Sequence, residues 1–419
     1  MYDINRKTAY DTLVSIEKNG SYSNIELNSL IKKNKADNPA FVRELTYGVL
    51  KNRYLLDFYL EKFIKKAELN DRILLRMGIY QMLFMNSVPV YAAIDTTVEL
   101  AKKLRHGKTA FINGVLRNFE RSMDNLPKAK RYSVKYSVEN WIVDLLISQY
   151  GREMTEEILK ASNATPELSL RVNLKKTDVS SLSELLAGKG FNVRSSNFSK
   201  RAIICDGSGI LDTEEFRNGL FSVQDESSVL CADTLLEGYD GRKVTTIDTC
   251  AAPGGKTLAV KEILSDDSLT VACDVYEQKL SLIEQSKERL GLGNIITVKN
   301  DSRECLTEYM GKADYVLCDV PCSGFGVFRR KPEIKYRKET DLEELYDIQR
   351  RILEASVNYL TDKGVLVYST CTINKKENEE QVKLFLDKYK DFELDKEIKL
   401  LPTEGTDGFY IARIKRICR

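Results

Sequence analysis

Histidine and tryptophan are all but missing from this 419-residue chain, which holds one of each. A lone His106 argues against a His-containing zinc site and leaves a Cys–His catalytic pair without support. No C-x-x-C pair occurs, and the nine cysteines, none before Cys205, are too thinly spread for a disulfide framework. Long apolar runs are missing as well. The richest, 73–85, is broken by Arg76, Gly78 and Gln81 and is too short to span a bilayer. The opening MYDINRKTAY has no apolar core of the signal-peptide kind. Together these absences predict a cytoplasmic protein with reduced thiols, no membrane partner and no metal. Nor is one sign of charge in excess, since 64 basic and 62 acidic side chains leave a net of +2. The distribution is less even. Residues 1–130 carry 22 basic and 14 acidic side chains, a net of +8, whereas 226–419 carry 30 and 35. A basic first third hints at a polyanion partner, and an ordinary basic surface would give the same count.

What is present suffices for a packed core: 42% of residues are apolar and 30% charged. At roughly 100–200 residues per domain the length suggests two to four domains. Residues 1–125 read as successive helices, with Leu55, Leu56, Tyr59, Leu60 and Phe63 at three- and four-residue spacing. The all-round apolar 73–85 predicts a central buried helix, with Asn70 or Asp71 as its cap and Pro89 as its stop. Helical patterns follow over 91–104, terminated by Gly107, and over 110–119. From 126 to 225 the texture changes to helices at 141–150 and 154–161, a strand at 168–174, a helix at 180–188 and short strands at 191–193 and 202–205. That is a small α/β module. In 226–419 strands and helices alternate regularly beyond Gly241, which predicts a mostly parallel, doubly wound sheet.

Each predicted strand of that last part ends on a residue with chemistry. Asp248 ends 244–247, Asp274 ends 269–273, Asp301 follows 295–298, Asp319 ends 315–318, and Ser369, Thr370 and Cys371 follow 365–368. Ligands of open α/β sheets bind outside the carboxyl ends of the strands. One Asp in such a place is most often a helix cap; four in succession, with a thiol, point to a shared crevice. The first turn, Asp248-Thr-Cys-Ala-Ala-Pro-Gly-Gly-Lys256-Thr257, ends like a phosphate-binding loop. Cys250, however, stands where that loop needs its first Gly, and Pro253 removes a cradle N–H. Gly254 and Gly255 allow close approach of a ligand at a helix N-terminus. Asp274, about 25 residues on, stands where an acid commonly binds a ribose. The pattern favours a nucleoside cofactor without a pyrophosphate clamp, S-adenosylmethionine rather than NAD. Asp319-Val-Pro-Cys322 places an acid and a thiol on one turn, beside the second thiol Cys371. Cys205, Cys231, Cys273, Cys305, Cys318 and Cys418 read as small buried hydrophobes.

The segments CAAPGGKT (250–257), DVPCSGFGVFRRKPEIKY (319–336) and STCT (369–372), followed by Glu377-Asn378-Glu379, closely resemble the Nol1/Nop2/Sun family of RNA cytosine-5 methyltransferases. The resemblance extends through SLRVN (169–173), FSVQDESS (221–228) and DGFYIARIKR (407–416). The first third resembles the RNA-binding fold of the antitermination factor NusB, through YSN (22–24), FVRELTYGVLKNR (41–53), LLRMGIYQMLF (74–84) and FINGVLRNF (111–119). This domain order is that of the small-subunit ribosomal RNA methyltransferase B group. It implies a multidomain α plus α/β chain: an all-α NusB-like domain over 1–125, linker helices and a small RRM-like α/β module over 126–225, and a doubly wound Rossmann-like methyltransferase domain over 226–419.

The same resemblance implies the chemistry. A Cys371 thiolate would add to carbon 6 of a cytosine in 16S ribosomal RNA, so that carbon 5 can attack the methyl group of S-adenosylmethionine. Asp319, carrying or sharing a proton with base bound, would hydrogen-bond ring nitrogen 3, a task that favours a raised pKa. Cys322 would assist product release. The cofactor would be held by Cys250, Ala251, Ala252, Pro253, Gly254, Gly255 and Lys256, with Asp274 on the ribose, Asp301 on the adenine side and Asp319 nearby. Lys256 reads equally as a contact to cofactor or base and as a solvated lysine at a helix end. Arg329, Arg330 and Lys331 would meet RNA phosphates, and the target base would have to leave its stack. Two other readings stand beside this one: an RNA-binding assembly or antitermination factor with a vestigial methyltransferase domain, and a cytosine-5 methyltransferase acting on tRNA. Protein partners are not legible.

Overall fold

In a computed structural model the described residues are 3–21, 23–104, 108–207 and 209–417. His106, the expected terminator Gly107, Tyr22 of the YSN motif and Cys418 lie outside them. The chain forms two compact units, one of residues 1–164 with 328–339 and one of 165–327 with 340–419.

The first unit is helical: α1 (Ile4–Asn19), α2 (Ser23–Asn34), α3 (Pro39–Lys51), α4 (Arg53–Leu60), α5 (Leu69–Phe84), α6 (Val90–Leu104) and α7 (Thr109–Glu120), then α8 (Tyr132–Lys135), α9 (Asn140–Tyr150) and α10 (Arg152–Ala161). The apolar α5 is its axis and packs against α1, α3, α4, α6 and α7. Its three polar or small interruptions each have a structural use. Gly78 admits Leu116, whose side chain lies 2.8 Å from where a Cβ would stand. Gln81 accepts from Arg6 Nε at 2.7 Å and donates to the Met77 carbonyl at 2.9 Å. Arg76, 4% exposed, donates to Asp57 at 2.8 and 2.6 Å and to Glu17 at 2.8 and 3.0 Å. The expected caps do not form. Glu68 precedes the helix without a side-chain bond to its first-turn amides, and Asn70 and Asp71 lie inside that turn.

Segment 328–339 belongs to this unit although it lies between two parts of the other. Its turn Pro332–Tyr336 is pinned by three side chains. Glu333 accepts from the Ser23 hydroxyl at 2.6 Å, Tyr336 donates to the Leu50 carbonyl at 2.5 Å, and the buried Lys335 donates to the Tyr136 carbonyl at 3.0 Å and to Asn163. Arg53 lies 3.7 Å over the Tyr336 ring.

The second unit contains two sheets. The smaller holds β1 (Ser169–Val172), β2 (Asn192–Ser195), β3 (Ala202–Asp206) and β4 (Phe221–Val223) in the antiparallel order β2-β3-β1-β4. Helix α11 (Val179–Gly188) packs on it, and the short α12 (Glu214–Arg217) precedes β4. Three residues make up β4, too few for an alternation pattern to reveal. The larger sheet follows α13 (Glu226–Leu235). Its strands and the helices between them are, in chain order, β5 (Thr245–Asp248), α14 (Gly255–Lys261), β6 (Leu269–Asp274), α15 (Glu277–Leu290), β7 (Ile295–Lys299), β8 (Ala313–Asp319), α16 (Leu342–Ser356), β9 (Leu360–Thr370), α17 (Glu379–Lys388), β10 (Phe392–Leu400) and β11 (Phe409–Arg416). Strand order is β10-β11-β9-β8-β5-β6-β7, parallel from β9 to β7. The alternation expected to run to the end gives way to an antiparallel hairpin, β10 and β11, added to β9. Apolar clusters cover both faces, as a doubly wound sheet requires. Among the described residues no helix is long and apolar enough to cross a membrane.

Candidate active site

Strand order reverses at β5, which has β6 and β7 on one side and β8 on the other. In open α/β sheets the crevice at such a switch point receives the ligand. Asp248, Asp274 and Asp319 stand at the carboxyl ends of β5, β6 and β8, and register places Asp319 opposite Ser369 of β9, two residues before Cys371.

The turn from β5 to α14 is braced from within. Asp248, 1% exposed, accepts from the Cys250 amide at 3.2 Å and the Thr257 hydroxyl at 2.5 Å, and burial pushes its carboxyl up to about 7. The Ala251 amide donates to the Cys273 carbonyl at 2.8 Å, the Ala252 amide to Asp274 at 3.1 Å and the Gly254 amide to the Ala251 carbonyl at 2.7 Å. Four amides of the turn are thus spent, two within it and two on the end of β6, and Pro253 has none, which leaves little of a pyrophosphate cradle. Gly254 has φ of 104°, and a Cβ on it would stand 2.9 Å from Ile283. Asp274 also accepts from the Tyr276 amide at 2.9 Å. A carboxylate has about four acceptor positions, so capacity remains for ribose hydroxyls. These donors and acceptors fit a nucleoside that lacks a pyrophosphate. Asp301 is engaged by Arg303, with Nε at 2.9 and 3.0 Å from its oxygens, and that pairing lowers its carboxyl.

The two thiols meet. Cys322 Sγ lies 3.2 Å from Cys371 Sγ, both part-exposed. The hydrogen bond to Cys371, then burial, holds the Cys322 thiol well above its ordinary value. Glycines draw the two loops together. The Gly326 amide donates to the Cys371 carbonyl at 3.1 Å, and a Cβ on Gly326 would fall 1.9 Å from the Gly408 carbonyl oxygen. Both glycines come from motifs singled out in the sequence.

Lys256 is the partner that the sequence left open. Its Nζ lies 2.7 Å from Asp319 Oδ2, while the Ser369 hydroxyl donates to Oδ1 at 2.8 Å. Burial would pull the Lys256 ammonium down, but Asp319, with smaller pushes from Cys231 and Cys371, carries it above its ordinary value. It is no solvated helix-end lysine. The remaining cysteines divide by burial: Cys205, Cys231, Cys273 and Cys318 are buried, Cys250 and Cys305 partly so. Of the three expected RNA contacts, Arg329 is 6% exposed, Arg330 half-buried and Lys331 exposed, all on the segment that clusters with the helical unit.

Sequence reasoning gave Arg171 no role beyond membership of SLRVN. Its guanidinium, 1% exposed, donates to Glu262 at 2.8 and 2.9 Å and to the Gly255 carbonyl, where the turn after β5 enters α14, at 2.7 Å. The available signal was a charge inside a strand of apolar neighbours.

Comparisons with known proteins bear on all parts of the chain. The family model described as 16S rRNA methyltransferase RsmB/F matches residues 234–415, the NusB family matches 3–121, and the RsmF/B-like ferredoxin-like domain matches 139–210. The chain is 35% identical to the probable ribosomal RNA small subunit methyltransferase B of Bacillus subtilis, over 98% of each chain. It is 33% identical to the ribosomal RNA small subunit methyltransferase B of an Escherichia coli strain, over 95% of each. A methyltransferase homolog protein from Pyrococcus horikoshii of known structure is 27% identical, covers 67% of this chain and all of its own, and superposes with a TM-score of 0.58. The crystal structure of the protein PH0851, 22% identical over 99% of this chain and 98% of its own, shares the fold with a TM-score of 0.84.

Proposed function

The chain belongs to the ribosomal RNA small subunit methyltransferase B family, and from that premise we propose that it methylates carbon 5 of a cytosine in 16S ribosomal RNA through a covalent Cys371 adduct. The observation that carries this reading is the 3.2 Å approach of Cys322 and Cys371 beside the Lys256–Asp319 pair. Methylation of an exocyclic amino group needs no thiol nucleophile, and a vestigial domain has no use for two thiols so placed.

The residues divide the work. S-adenosylmethionine, when bound, supplies an electrophilic methyl group. Asp274 holds the ribose hydroxyls, Asp301 the adenine side, and 250–256 the remainder, with Asp319 close by. Cys322, whose thiol the Cys371 contact and burial hold above its ordinary value, is assigned the donor's place in the thiol pair, and Cys371 is assigned the attacking sulfur. Its Sγ adds to carbon 6 of the base, and the displaced ring electrons are held at nitrogen 3 by a proton shared with Asp319. Lys256 fixes Asp319 in place and moderates its charge. Once carbon 5 is methylated, its proton passes to water, the carbon 6–sulfur bond breaks with its electron pair on the Cys371 sulfur, and the nitrogen 3 proton returns to Asp319. Cys322 then donates its hydrogen bond to the departing Cys371 sulfur.

RNA presentation is assigned to residues 1–125 and 126–225 with the phosphate contacts Arg330 and Lys331; the burial of Arg329 makes it the weakest of the three. We assign the protein to the cytoplasm on the strength of this ribosomal RNA substrate. The test is transfer of tritiated methyl groups to unmodified 16S RNA, naked and in assembling particles, beside bulk tRNA, with nucleoside digestion. 5-Methylcytidine at one site in 16S RNA is the expected result. Label in tRNA alone would overturn the substrate, and label in neither RNA would overturn the reaction.

A further inference from the structure

The Glu377-Asn378-Glu379 motif has no part in the chemistry just described, yet its first residue lies at the junction of both thiol loops. Glu377 is 0% exposed. Its Oε2 accepts from the amide of Ser323, the residue after Cys322, at 2.7 Å and from Gln349 Nε2 at 2.9 Å. Gln349 also donates to the carbonyl of Pro321, the residue before Cys322, at 2.9 Å. Cys322 is thereby bracketed on both sides. Glu377 Oε1 accepts from Asn374 Nδ2 at 3.0 Å and lies 3.5 Å from the hydroxyl of Thr372, the residue after Cys371. That hydroxyl is 2.7 Å from Ser323 Oγ, which closes the ring between the two loops. The Glu377 carbonyl accepts from Tyr368 of β9 at 2.6 Å, so its own backbone is tied to the strand that delivers Cys371.

We infer that Glu377 is a positioning residue for the reaction, a buried carboxylate that fixes the Cys322 and Cys371 loops at their mutual distance. The inference rests on the function proposed above. An ionised carboxylate has about four acceptor positions, and donors from both loops face them here. A carboxamide in its place must turn an N–H toward one of those donors. The Ser323 amide cannot rotate, so the mismatch falls on Asn374 and the Cys371 side. Aspartate keeps the charge but is one methylene shorter and cannot reach both loops.

Two variants therefore separate charge from reach. The titratable groups facing Cys322 are Cys371, Glu377, Asp319 and Tyr368, and the Glu377 charge is among those that raise its thiol. In the full-length protein, E377Q should move the pH profile of Cys322 alkylation by iodoacetamide to lower pH. It should also cut kcat for methyl transfer on the order of 10–100-fold, with KM for S-adenosylmethionine within about threefold of wild type. E377D should show the same loss of kcat with the alkylation profile in its original place. If both variants fold and retain wild-type kcat, the inference is wrong. Should E377Q fail to fold, Gln349→Met removes one bracket at nearly constant volume and should lower kcat about threefold to tenfold; wild-type kcat in that variant overturns the inference equally. The alkylation profile requires no RNA. A wild-type protein that transfers no methyl group therefore counts against the proposed function, while an E377Q profile identical to wild type counts against Glu377.

Discussion

Arg76 in the helical unit and Lys256 at the start of α14 in the second unit are both cations held in ion pairs away from bulk water, and they are completed differently. Arg76 has a carboxylate on each side, Asp57 and Glu17, and its side chain is 5% exposed. Arg72 and Arg53 approach the same two acids at 3.3 and 3.9 Å, so the charges form a closed cluster. Lys256 has one carboxylate, Asp319, and the two side chains are 15% and 26% exposed. Removing charges from water is costly, and a pair that serves only the fold is stable when every donor and acceptor is satisfied. The closed cluster meets that condition. The open pair keeps unused hydrogen-bonding capacity at the end of a strand, which is what its proposed role of receiving a base requires.

The largest expected effect lies with the thiols beside the open pair. Cys371→Ala should abolish both turnover and the adduct with 5-fluorocytosine-containing RNA, a loss of at least about 10⁴-fold in rate. Cys322→Ala should instead accumulate an RNA–protein adduct on native RNA, visible as a shifted band after denaturing electrophoresis. Adduct that persists in Cys371→Ala and vanishes in Cys322→Ala would reverse the two roles.

Next in size is the closed cluster. Arg76→Met leaves Asp57 and Glu17 buried without their main cation, which for a broken buried pair costs about 3–5 kcal/mol. Arg53 and Arg72 compensate in part, so the lower end of that range is expected in chemical denaturation. Lys256→Met should behave in the opposite way. Asp319 can hydrate, so stability should fall by no more than about 1 kcal/mol, whereas kcat should drop about 100-fold, close to 2.7 kcal/mol of barrier. Equal stability losses with no loss of rate would erase the distinction between the two pairs.

The carboxyl end of the sheet was legible in the sequence because strand-end residues are local. A short apolar run followed by Asp or Ser-Thr-Cys identifies both the strand and what it presents, and Asp248, Asp274, Asp319 and Cys371 all stand at or just past such ends. Partnership is not local. Lys256 and Asp319 are 63 positions apart, Glu377 and Ser323 are 54, and no spacing rule connects them. Segment 328–339 defeats sequence reading for the same reason. Its basic residues resemble a solvated phosphate-binding loop, yet Lys335 and Tyr336 anchor it among helices nearly 200 and 300 positions away. The absent caps of α5 are a milder case: tertiary burial of that helix makes a local cap unnecessary.

Asp248 provides the smallest and most diagnostic test, because it is as buried as the Arg76 cluster but belongs to the wall of the open site. Its carboxyl is raised to about 7 by burial, above an ordinary carboxylate value near 4. A raised folded-state value means that the protonated form is favoured on folding. The stabilisation is fully present below pH 4, declines as pH rises from 4 to 7 and is lost above 7. Asn at this position cannot titrate but can still accept from the Cys250 amide and pair with the Thr257 hydroxyl. Asp248→Asn should therefore gain stability relative to wild type between pH 4.5 and 7.5. The gain should be on the order of 2 kcal/mol, since each pKa unit is worth about 1.4 kcal/mol and the site relaxes around the charge. Denaturation midpoints at the two pH values measure it. A constant difference would mean that Asp248 is ionised throughout and draws on the Lys256 ammonium, so that the open pair is in fact a triad.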